Sequence, residues 1–232
     1  MSQPVFNQLL LDEINRALVN AIAYIFGAGV AGDVAEFGTM TGRTAGVLAQ
    51  FLAEIETYWG GSDQQHGIPM RSMHLFDSFE GLPLPSHVID ANSLHVRSQI
   101  WDKGLLRGIS AEQLATLVEQ YLQPERVRIY EGFFVDTLPE IPSESRFALL
   151  HIDCDFYEST YQVLDHLFGR RMVSEGAILL FDDWNCNRAS PAFGERKAWQ
   201  DVLEKYCVSY SDEGSYSVFG HKFIVHRIED AV

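Results

Sequence analysis

The chain has 232 residues, 47% of them hydrophobic, so at about 150 residues per domain it forms one large domain or two small ones, with material for a sizeable core. Seventeen basic against thirty-two acidic side chains leave a formal charge of −15, which argues against DNA, RNA and anionic membrane surfaces as partners. The three cysteines, Cys154, Cys186 and Cys207, show no CxxC pair and no zinc-site spacing, as expected of a reduced, cytoplasmic protein.

No internal repeat or Pro/Ser-rich linker divides the sequence, so 1–232 reads as a single domain. Leu10, Ile14, Leu18, Ala21 and Ile25 recur at spacings of three and four, the face of an amphipathic helix in an amino-terminal extension over 1–30. Gly27 and Gly29 end it. This helix is free to pack on its own sheet or on a second copy of the chain, which leaves homo-oligomerisation open. Asp12 and Glu13 interrupt the stretch where a signal peptide needs its apolar core. The longest uncharged run, 17–32, is shorter than the roughly 20 apolar residues that span a bilayer, so no membrane segment is expected.

Short apolar runs then alternate with stretches of helical composition, the signature of βαβ units. The expected strands are 33–37, 72–76, 127–130, 147–152 and 177–181. Helices are expected at 43–57, 111–122, 158–168 and 194–206. The tail at 216–227, rich in aromatic and β-branched residues, reads as a late hairpin or an added antiparallel strand. The class is α/β, and in such sheets ligands bind beyond the carboxyl ends of the strands.

The first strand ends in Glu36-Phe37-Gly38-Thr39-Met40-Thr41-Gly42-Arg43-Thr44. Its glycines let a ligand approach the backbone, but the spacing is neither a P-loop nor a dinucleotide fingerprint. Glu36 would repel a pyrophosphate and would suit a cationic, phosphate-free cofactor. Asp77 ends the second strand, placed to accept the hydroxyls of a ribose or to cap a turn. The fourth strand runs into Asp153-Cys154-Asp155 and the fifth into Asp182-Asp183. If these strands are neighbours, Asp153, Asp182 and Asp183 offer three hard oxygens to Mg²⁺ or a similar ion. Asp155 is placed to cap the helix that follows. His151 shares strand parity with Asp153 and is a reserve base. The stretch 85–104, with His87, His95 and Trp101 and no clear period, reads as a lid or a surface excursion.

Taken together, Ala35-Glu36-Phe37-Gly38, the run from Phe76 to Pro83, Glu131-Gly132-Phe133-Phe134, the run from Asp153 to Thr160, and Asp182-Asp183 resemble the macrocin O-methyltransferase family of class I S-adenosylmethionine-dependent enzymes. Cys154 departs from the glycine usual between the two acids. The resemblance implies a Rossmann-like, mostly parallel seven-stranded sheet with an antiparallel last strand and helices on both faces. It implies S-adenosylmethionine bound by Glu36, Gly38, Thr39, Thr44, Asp77, Ser78, Gly132, Phe133 and Asp153. It further implies Mg²⁺ or another divalent cation on Asp153, Asp182 and Asp183, with Asp153 as general base toward a hydroxylated small molecule, in this family a sugar moiety of a natural product. Two other readings stand beside it: a nicotinamide-dependent oxidoreductase with a degenerate fingerprint, and a non-catalytic small-molecule binder.

Overall fold

The computed structural model describes residues 5–65 and 67–228. Seven strands, β1 (Asp33–Phe37), β2 (Met73–Asp77), β3 (Val127–Glu131), β4 (Phe147–Ile152), β5 (Val173–Phe181), β6 (Val208–Ser215) and β7 (His221–Ile228), form one sheet in the order β3-β2-β1-β4-β5-β7-β6. Strands β1 to β5 are parallel, and β7 is antiparallel to both β5 and β6. The sheet is thus the mostly parallel, seven-stranded one expected. Strand order reverses between β1 and β4, which places the ligand crevice above their carboxyl ends.

Every residue of β4 is buried, because helices cover both faces of the sheet. On one face α1 (Val5–Gly27), α2 (Arg43–Gln65) and α5 (Ala111–Val118) pack around Val34, Leu75, Leu149 and Leu180. On the other, α7 (Tyr157–Gly169) and α8 (Gly194–Tyr206) pack around Phe37, Leu150, Phe181 and Trp199. Each such fully buried side chain contributes about 1.5–3 kcal/mol. Phe37, Phe76 and Tyr130 stand at one register level on β1, β2 and β3 and stack at 4.6 and 4.2 Å. This aromatic row underlies the strand ends. The amphipathic face of α1 is spent on the chain's own sheet, with Leu18, Ala21, Ile22 and Ile25 buried. No helix among the described residues is long and apolar enough to cross a membrane.

Several elements differ from the expected ones: the helix expected at 111–122 ends at Val118, and the strand expected at 177–181 begins at Val173. The helix expected at 43–57 continues to Gln65, and buried Asp63 pairs with buried Arg71 at 3.0 Å, tying the last turn to the approach to β2. Strand β6 was not expected. It is a largely polar edge, and Asp212 and Glu213 on it oppose further strand pairing. The stretch 85–104 carries two short helices, α3 (Val88–Asn92) and α4 (Leu94–Arg97).

The last of these is anchored. Asp90, 1% exposed, accepts the backbone N–H groups of Tyr157 at 2.7 Å and Glu158 at 3.0 Å. It therefore caps α7, whose own N-cap residue, Phe156, has no side-chain acceptor. Asp155, expected in that role, has φ +59° and turns elsewhere. We expect Asp90→Ala to lower stability by about 1 kcal/mol or somewhat more, read as a shift in the urea midpoint at unchanged slope.

Candidate active site

The turns after β1 and β2 are tied in one knot by Asp77. Its Oδ2 accepts Thr39 N–H at 2.8 Å, Thr39 Oγ1–H at 3.1 Å and Met40 N–H at 2.9 Å, and its Oδ1 accepts Phe79 N–H at 2.7 Å. Ser78 Oγ–H closes the second turn by donating to the carbonyl of Gly81 at 2.8 Å. The turn after β1 also abuts β4's exit, where Asp153 N–H donates to the carbonyl of Phe37 at 2.9 Å. Gly38 has φ +91°, and a Cβ there would collide with the carbonyl oxygen of Asp153. Only glycine lets the two strand ends meet so closely.

One pocket opens above this junction. Gly38, Asp77, Ser78, Gly132, Phe133 and Asp153 line it, all anticipated as site residues. Asp155, Ser86, Glu158, Ser159 and Gln162 line it too. Thr39 and Thr44 are buried beside the turn without reaching the lining.

Glu36 does not reach the pocket. It is fully buried on β1, and its Oε1 meets Nδ1 of equally buried His151 on β4 at 2.8 Å. Burial lowers the His151 pKa, but the hydrogen bond and charge of Glu36 outweigh it and hold the imidazole above its ordinary value. His151, a reserve base on sequence grounds, is bonded to Glu36 and does not line the pocket.

Beyond β4 and β5 the acids gather. Oxygens of Asp153, Asp155 and Asp183 lie within 4.8 Å of one another. Burial first, then Asp182 and Asp183, raises the Asp153 pKa well above the carboxylate range. Burial and Asp183 do the same to Asp155. Asp183 is pushed up to about 6 by burial and Asp182. The expected trio contained Asp182 in place of Asp155. Successive residues of an extended segment point to opposite sides, and Asp182 Oδ1 accepts the hydroxyl of Tyr216 at 3.0 Å. Asp155 joins the trio through its left-handed backbone, and Cys154 is accommodated with its thiol 3.7 Å from the carbonyl of Phe37. The connection through Gly169, Arg170 and Arg171 is short, so β5 runs beside β4 and brings Asp183 within reach.

The loop after Asp183 is secured as well. Cys186 Sγ–H donates to Asp183 Oδ1 at 3.1 Å. Asn187, Arg188 and Ala189 all have positive φ, and Asn187 Oδ1 accepts the backbone N–H of His95 at 3.0 Å. The stretch 85–104 thus reaches this loop through His95.

Residues 12–206 match the profile of the macrocin-O-methyltransferase (TylF) family. The chain belongs to the macrocin O-methyltransferase family. Among relatives of this family member, the 8-demethyl-8-(2,3-dimethoxy-alpha-L-rhamnosyl)-tetracenomycin-C 4'-O-methyltransferase of Streptomyces olivaceus is 32% identical over 78% of this chain and 61% of its own. The demethyldecarbamoylnovobiocin O-methyltransferase of Streptomyces niveus is 27% identical over 83% and 68%. The chain spans 61–68% of the length of the curated relatives it matches. Among solved structures, the O-methyltransferase NovP superposes with a TM-score of 0.70 at 23% identity, covering 93% of this chain and 80% of that one. That likeness agrees with the class I fold.

Two buried acids of this family member, Asp155 and Glu195, are not among the site residues that the sequence points to. Asp155 carried a usable signal, the Asp-x-Asp spacing with Asp153, but its place before a helix favoured capping. Glu195, in the first turn of α8 and 1% exposed, carried none, since acids are common at helix starts.

Proposed function

We propose that this protein transfers the methyl group of S-adenosylmethionine to a hydroxyl of a small molecule, a sugar unit of a natural product, with the help of a divalent cation. The observation that carries this reading is the junction of Gly38 with Asp153: a glycine turn fit for a cofactor lines one pocket with Asp153 and Asp155, two of the three clustered carboxylates. The rhamnosyl tetracenomycin in the name of one relative supports the choice of a sugar acceptor, and the demethyldecarbamoylnovobiocin in that of another supports a natural product. The acidic composition and free cysteines suit a cytoplasmic enzyme.

The residues divide the work. The turn of Gly38 and Thr39, with Thr44 behind it, would receive the methionine end of the cofactor, and Asp77 with Ser78 would receive its ribose. Gly132 and Phe133 would border the adenine. Asp153, Asp155 and Asp183 fit a divalent cation on the chemistry of their donors: three hard oxygens, close together and strained by mutual repulsion. Such a cation, when bound, orients neighbouring substrate oxygens and lowers the pKa of the acceptor hydroxyl. Asp182 stands beside this set, its Oδ1 bonded to the hydroxyl of Tyr216. Asp153 takes the acceptor's proton. Glu158 and Gln162, one turn apart on α7, face the same pocket and would orient the acceptor's other hydroxyls. The stretch 85–104 borders the pocket entrance through Ser86 and is read as its cover.

Two results test the reading. S-adenosylhomocysteine at a hundredfold excess over its Kd should stabilise the fold by about 2.7 kcal/mol, whereas NAD and NADP leave Tm unchanged. The reverse pattern would favour the oxidoreductase. Methylation of a glycoside panel, followed by mass spectrometry, should stop with EDTA and return with Mg²⁺. Turnover that ignores the chelator would remove the cation from the scheme.

A further inference from the structure

Glu195 is buried, and among the described residues no basic side chain pairs with it. Its Oε2 accepts the backbone N–H of Asp183 at 3.0 Å, and its Oε1 is sealed from solvent with no hydrogen-bond partner. An acid in the first turn of a helix usually finds that helix's own free amides. This one bonds across to the end of β5 instead. An apolar side chain at this position would avoid the cost of a buried, unpaired oxygen. The fold bears that cost at one point, the amide of a residue in the acidic trio.

Asp183 is thereby held twice, its main chain by Glu195 and its Oδ1 by the thiol of Cys186. Glu195 itself lies outside the set of oxygens that gather within 4.8 Å. Its unpaired Oε1 points to a ligand nearby, because Mg²⁺-type ions keep several waters whose protons would satisfy such an acceptor. We propose that Glu195 is a positioning residue for the cation site, fixing Asp183 in the orientation in which it binds a divalent ion. This rests on the cation reading given above.

The test measures Mn²⁺ binding to the chelator-stripped full chain, by electron paramagnetic resonance of the free ion. Glu195→Gln keeps an acceptor for the Asp183 amide, and Glu195→Met keeps the volume while removing it. Thermal melts of both check that they fold. Glu195→Met should weaken Mn²⁺ binding by about 10- to 100-fold, and Glu195→Gln should hold it within about threefold of wild type. If Gln weakens binding as much as Met, Glu195 acts through charge and the positioning role is overturned. Unchanged binding in Met overturns it too. If the wild-type chain binds no Mn²⁺, the cation reading itself fails, a result distinct from loss in the variants alone.

Discussion

Asp153→Asn should lower the rate of methyl transfer by about 10²- to 10⁴-fold, the range for loss of a general base, with no loss of Tm in the metal-free protein. The backbone at this position is held by Asp153 N–H on the carbonyl of Phe37, which the substitution leaves in place. Asparagine is nearly isosteric but carries no charge. Burial and the neighbouring Asp182 and Asp183 penalise the Asp153 carboxylate, so a neutral amide relieves repulsion and Tm without metal should hold or rise. The gain of Tm on adding Mg²⁺ should shrink sharply in the same variant, because one of three hard oxygens becomes a weaker donor. Activity and metal-free stability thus move in opposite directions, as at a site held under strain for function. A variant that keeps its turnover would show that the proton leaves by another route.

The parallel part of the sheet was legible because strands buried on both faces must be nearly continuous apolar runs, as β4 and the end of β5 are. Edge strand β6 was hidden for the converse reason: Ser209, Tyr210, Asp212 and Glu213 are all exposed, so no core selects an apolar pattern there. The site divides in the same way. Asp77 was placed correctly at the crevice, but its bonds to the Thr39 and Met40 amides arise from the closeness of two turns that sequence spacing does not encode. The pairing of Glu36 with His151 follows from strand register, since β1 and β4 set these two residues directly opposite on adjacent strands. The closeness of Asp155 to Asp153 and Asp183 goes with the left-handed turn at Asp155, and the bond from the hydroxyl of Tyr216 to Asp182 joins residues 34 positions apart.

Gly38→Ala should destabilise the fold more than Gly214→Ala and should abolish the Tm gain from S-adenosylhomocysteine. Two costs add. A φ of +91° is unfavourable for alanine, worth about 1–3 kcal/mol. The new Cβ would also drive into the carbonyl oxygen of Asp153, and forced repacking costs about 1–3 kcal/mol more. The backbone is not free to yield, since Gly38 N–H donates to the carbonyl of Phe76 at 2.9 Å and Thr39 is held by Asp77. Gly214→Ala separates the two costs. Gly214 has φ +79° with nothing within 4 Å of its would-be Cβ, so alanine there meets the conformational cost alone, about 1–2 kcal/mol. The difference between the two urea denaturation free energies therefore measures the contact between the turn after β1 and the end of β4. A difference near zero would mean the two strand ends are not pressed together, and the shared pocket on which the methyl-transfer reading rests would lose its physical basis.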